Sequence, residues 1–360
     1  MEEKYGFTGE TKTVRGVEVR RIVALRDFGD DIDDGDNTDD MDDDNEVSAH
    51  ATQVVLRDYS TIDGVLAPRD FFCAKKWQLG GWIESEANLS HEGNCWVSDR
   101  AVVCGDAVVS DDAVVSDDAL VSDDALVSGQ AKIGQRARVF DMAKVFGRAV
   151  VQGDATVGGG AMVGGSARVE GSSVVNGNAT VEGSATVFGY ASVFGQAVIK
   201  GDAMVGDEAT IRGNASVSDF AAVGGNATLT ESAKVSGNAR IGGCARIGGH
   251  AMVGGHAMVG DNATVGGTAT VRDKSGVFGR AKVAGCATIS ENATITGSAV
   301  VDGNAMVGGN ARVSGSATVK DDAMVSGDTE VSGKTVIKDD MVVSGDAAPE
   351  GDEQPRARVR

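Results

Sequence analysis

The segment 245–267, ARIGGHAMVGGHAMVGDNATVGG, carries His250 and His256, two of the four histidines in the chain. Near neutral pH an imidazole can serve as a general base or as a metal ligand. Cys244 lies just upstream, and Gly242, Gly248, Gly254, Gly260 and Gly266 recur at six-residue intervals around the pair. Bare backbone beside a thiol and two imidazoles would let an extended ligand, or another copy of the chain, approach closely. The two histidines are therefore the candidate catalytic residues and the five glycines the candidate cofactor-binding residues. What they can do depends on the framework that positions them.

That framework is a repeat. From Ala101 to Ala347 a small residue recurs every six positions, 42 times without a skipped beat; 37 are Ala, and the others are Ser173, Ser275, Thr329, Thr335 and Met341. Val, Ile or Leu follows two residues after each of the first 41, from Val103 to Val343. Two further on, at positions 105, 111 and so to 345, Gly fills 28 of 41 places and Asp ten. Residues two apart share one side of a strand, so Ala and Val face a common interior. Gly, and more weakly Asp, tolerates the positive φ of a tight corner. A short strand and a corner, repeated, make a coil.

The unit resembles the hexapeptide repeat [LIV]-[GAED]-x-x-[STAV]-x of left-handed parallel β-helices, with Val103 at its first position and Ala107 at its fifth. The resemblance implies three hexads per coil, hence about fourteen coils, an all-β solenoid and a rod roughly 65 Å long. The methionines agree with eighteen residues per coil. Met162, Met252, Met306 and Met324 are separated by multiples of eighteen, as are Met204 and Met258. Eighteen puts four on one face, two on a second and none on the third, whereas twelve splits them evenly.

A solenoid needs protected ends. Trp77, Trp82 and Trp96 all lie just before the repeat, and Met341 is placed to plug the last coil. Residues 17–30, VEVRRIVALRDFGD, and 80–105, GGWIESEANLSHEGNCWVSDRAVVCG, resemble the N-terminal cap of bacterial YdcK-like hexapeptide-repeat proteins. The division expected is a cap over 1–100 with an acidic, disordered insertion at 31–79, a β-helix over 101–347 and a flexible tail over 348–360.

Composition narrows the function. Aromatic residues are 4% of the chain, so no core of large side chains can be built. Residues 27–46 hold eleven Asp and one Glu of a net charge of −20, leaving −8 for the rest. A phosphate mimic would spread its carboxylates along the rod, which argues against nucleic-acid mimicry. The run also fails as an EF-hand, because aligning Gly35 to the invariant glycine puts Ile32 and Met41 at ligand positions. Five scattered cysteines suit a reducing cytoplasm better than a disulfide framework, and the start Met-Glu-Glu-Lys leads into no apolar run.

Six-residue spacing sets His250 and His256 on successive corners, very roughly 15 Å apart. Zn–N bonds are about 2 Å, so one metal cannot take both, and no metal site is expected. Residues eighteen away are Ser232 and Thr268 for His250, and Asn238 and Lys274 for His256, none of them a carboxylate. The expected function is a rigid, non-enzymatic scaffold or protein-interaction rod, without cofactor or membrane span, that binds a protein or itself. The alternative implied by the resemblance is an acyltransferase using a CoA thioester. It would be a homotrimer with His250 or His256 as general base at a subunit interface. The uninterrupted repeat lacks the loop and C-terminal helix usual in that group.

Overall fold

The computed structural model describes residues 3–29, 61–62, 65–66, 73–345 and 358–359. The run 30–46, with the EF-hand alignment, and most of the 31–79 insertion lie outside the described residues. From Trp96 onward each hexad forms a short strand that pairs in parallel with the strand eighteen residues on. Val108 pairs with Leu126, Val114 with Lys132 and Leu120 with Arg138. Three strands per turn build three stacked sheets, and the chain is a left-handed parallel β-helix of about fifteen turns. We call the faces containing Val102, Val108 and Val114 the first, second and third. The methionines fall as expected: Met162, Met252, Met306 and Met324 on the second face, Met204 and Met258 on the third.

The interior is a column of Ala and Val. Ala203, Val205, Ala251 and Val259 are each at most 1% exposed, like nearly every other member of the two series. Ser173 and Ser275 are accepted in Ala positions because each hydroxyl donates to the carbonyl three residues back, at 2.8 Å and 2.6 Å. A buried hydroxyl without such a partner would be costly.

Corners repeat as strictly as strands. From Asp99 to Asp339 every sixth residue has φ between 53° and 80°. Glycine enters that region freely, whereas Asp adds a second bond. Asp219 Oδ2 accepts from Gly237 N at 2.8 Å, Asp207 Oδ2 from Gly225 N at 2.7 Å, and Asp117 Oδ2 from Gln135 N at 2.7 Å. The carboxylate thereby clips one corner to the next along the axis.

The N-terminal end is closed by a hairpin, Tyr5–Val14 with Val17–Ala24, whose second strand pairs antiparallel with Leu79–Ile83. Leu79–Ile83 in turn pairs in parallel with Val102–Val103, so the hairpin prolongs the first face. Coiling thus begins before Ala101. Gly80 and Gly81 are fixed by close approach: a Cβ would stand 2.5 Å from Ile22 Cγ1 at one and 2.7 Å from Val97 Cγ1 at the other. Trp96 is fully buried, its ring edge-on to Phe28 with centroids 5.1 Å apart. In this first turn Ile83 pairs with Val103 and Leu89 with Val109, a step of twenty, whereas Trp96 pairs with Val114, a step of eighteen. Two extra residues therefore widen the corner between Leu89 and Trp96. At the far end Met341 packs against the core, and Arg358–Val359 pair antiparallel with Val343–Ser344.

Candidate functional site

His250 lies on the corner between Arg246–Ile247 of the first face and Met252–Val253 of the second. His256 lies on the next corner, before Met258–Val259 of the third face. Both are exposed. Their backbone N–H groups join the axial ladder, donating to Gly267 O at 2.7 Å and Asp273 O at 2.6 Å. Among the described residues neither imidazole has a hydrogen-bonding or ionic partner, and no group of three His, Cys, Asp or Glu could hold a metal. The eighteen-residue register stacks Ser232 and Thr268 beside His250, and Asn238 and Lys274 beside His256.

The five glycines do not form one strip. Successive hexads occupy successive corners, so Gly242 and Gly260 share one corner, Gly248 and Gly266 another, and Gly254 stands alone on the third. A Cβ at Gly242 or Gly266 would meet nothing within 4 Å, but one at Gly248 would stand 3.0 Å from Thr230 Oγ1. Gly242 and Gly260 belong instead to a column with Gly206 and Gly224, on successive coils at the corner following the third face, in which Gly242 alone is open. Phe188 lies over one end and Phe278 over the other. Reading every eighteenth residue would have found it.

Among the described residues the densest set of reactive groups lies at the widened first corner, and the repeat gave no sign of it. Lys4 is fully buried, as is Cys95. Lys4 Nζ stands 3.2 Å from Cys95 Sγ, 3.3 Å from Gly93 O and 3.5 Å from Glu92 O. Tyr5, also buried, donates its hydroxyl to Leu89 O at 2.9 Å. Its ring stacks on His91, with centroids 4.3 Å apart and planes within 10°. His91 Nδ1 accepts from Lys4 N at 3.3 Å. Burial pushes the Lys4 amine below its usual range despite the opposing pull of Cys95. Burial also raises the Cys95 thiol, against the pull of Lys4, and raises the Tyr5 phenol strongly. All three shifts favour uncharged groups. The only sequence signal was His91 and Cys95 close together just ahead of an otherwise regular repeat.

No protein-family model matches the chain, and no curated protein matches it. Solved structures that match in part include the Arabidopsis UDP-N-acetylglucosamine acyltransferase, 16% identical over 59% of this chain and 72% of that one, with a TM-score of 0.30. LpxA from Acinetobacter baumannii is 14% identical over 58% and 73%, with a TM-score of 0.24. The UDP-N-acetylglucosamine acyltransferase from Campylobacter jejuni is 20% identical over 58% and 73%, with a TM-score of 0.23. Likenesses of that size do not define the fold, and the strand register decides it. This is a hexapeptide-repeat β-helix. Among the described residues of this solenoid no helix is long and apolar enough to cross a membrane.

Proposed function

We propose that the chain is a rigid interaction rod, and that the second face is its binding side. The supporting observation is the run of outward residues on that face from Met252 onward: Met252, Thr270, Thr288, Met306, Met324 and Val342. Six successive rungs carry no charge there, and Met252 and Met306 are 47% and 43% exposed. Elsewhere the outward strand positions hold nine Lys or Arg and a single acid, Glu330, while Asp occupies corners. A flat, uncharged strip of methionine and threonine between polar corners is the surface of this molecule best suited to another protein or a second copy.

A second reading is acyl transfer from a CoA thioester, with His250 or His256 as base. Its support is the open backbone at Gly242, one rung from Gly224 and Gly260 and between Arg240 and Cys244, where an extended arm could lie. Sedimentation and calorimetry separate the two readings. The rod reading expects wild-type protein to self-associate or to bind its partner, with association abolished by Met252→Lys plus Met306→Lys and retained by Thr264→Lys on the first face. It also expects no heat with acetyl-CoA. Tight CoA binding that is lost in His250→Asn plus His256→Asn would replace the rod with the enzyme.

A further inference from the structure

We infer that Lys4 and Cys95 form an oxidative cross-link, a covalent tie between the N-terminal strand and the first coil. The two side chains come from segments 91 residues apart, and both are fully buried. They meet at the first corner, where the register steps by twenty instead of eighteen. The two added residues create the space that receives the lysine, so the regular repeat is broken where these groups touch. Nζ also donates to Gly93 O at 3.3 Å and Glu92 O at 3.5 Å, both within the widened corner, which holds it against the sulfur.

The chemistry follows from the placement. Removal from water biases the pair towards its uncharged forms, amine and thiol, and Nζ stands 3.2 Å from sulfur, so loss of one proton leaves the nucleophile already in place. Hydrogen peroxide supplies the oxidant. Its O–O bond breaks as one oxygen goes to sulfur, giving a sulfenic acid and one water; the sulfur is oxidised by two electrons and the peroxide reduced. Nζ then attacks sulfur, the S–O bond breaks, and the departing hydroxide takes the amine proton as a second water. The product is an S–N bond, the lysine counterpart of the sulfenamide that cysteine forms with a backbone nitrogen. Cys95 Sγ lies 3.4 Å from Ser90 O and 3.7 Å from Glu92 O, and Glu92 and Gly93 of that segment are exposed. A thiol reductant returns the amine and thiol.

The test uses the full chain, reduced, freed of reductant and exposed to graded hydrogen peroxide before tryptic digestion and mass spectrometry. The expected result is peptide 1–12, uncut at Lys4, joined to peptide 77–100 at the sum of their masses less two hydrogens. The link should form in folded protein, fail when peroxide is added in urea, and reverse with a thiol reductant. Cys244 and Cys286, exposed and free, serve as internal controls for oxidation. If they oxidise while Cys95 is recovered as a thiol or sulfinic acid with Lys4 unlinked, the inference is overturned. Because the link is sought in wild-type protein, the outcome does not depend on whether Lys4→Gln or Cys95→Ser folds.

Discussion

A Cβ on Gly158 would stand 2.6 Å from Cζ of Phe140, eighteen residues earlier, because the phenyl ring lies over the glycine of the next coil. Phe146 covers Gly164 and Phe188 covers Gly206 in the same way. The ring shelters backbone that glycine leaves bare, as an aromatic beside a strand glycine does. Phenylalanine and glycine are thus one structural unit split across two turns.

This pairing predicts a coupling. Gly158 has an ordinary negative φ, so Gly158→Ala tests space alone. It should destabilise by about 1–3 kcal/mol in wild type and by clearly less after Phe140→Ala, measured as a double-mutant cycle in urea. Equal costs in both backgrounds would mean that the ring does not impose the glycine.

The interior should be far less tolerant than the faces. Ala203→Leu overpacks a column with no exposed surface and should cost about 1–3 kcal/mol or more, shared by neighbouring turns. Thr210→Lys, outward on the first face beside Ser192 and Thr228, should be close to neutral. Equal shifts in the thermal transition would contradict the inward assignment of Ala.

At Asp219 two roles can be separated. Asp219→Gly keeps the positive φ and loses the bond to Gly237 N, whereas Asp219→Ala loses both. Unfolding midpoints should therefore rank wild type above Gly and Gly above Ala. If Ala and Gly were equal, backbone strain at the corner would be negligible.

Alkali should loosen the cap. Cys95 and Tyr5 hold their protons more tightly when folded than at their ordinary 9.0 and 10.0, so their contribution is full below about pH 9 and is lost as pH rises through and beyond those values. Lys4, lowered from 10.5, works in the opposite sense, adding stability as pH rises towards 10.5, but it is one group against two. The midpoint followed by the fluorescence of the three tryptophans, all at this end of the rod, should fall with pH above 9, and less steeply in Tyr5→Phe. An unchanged slope would mean that the phenol does not titrate with unfolding.

The solenoid was legible in the sequence because its contacts are periodic. Ala-x-Val-x-Gly states the strand, the interior and the corner within six residues, and Met162 with Met252 revealed the eighteen-residue turn. Stacking puts residue i against i+18 throughout, so a local pattern suffices to place a distant neighbour. The same arithmetic set His250 and His256 on separate corners with no acid at the positions eighteen residues away. It would equally have divided Gly242, Gly248 and Gly254 among three corners had the glycines been read by turn instead of by hexad. The cap obeys no such rule. Lys4 reaches Cys95 because a hairpin folds back onto a turn widened by two residues, and Gly80 is required because Ile22 and Trp96 crowd it from two other segments. Those contacts join parts of the chain with no common period, and their energy comes from shape and burial at the end of the rod. Only the tertiary structure could bring them together.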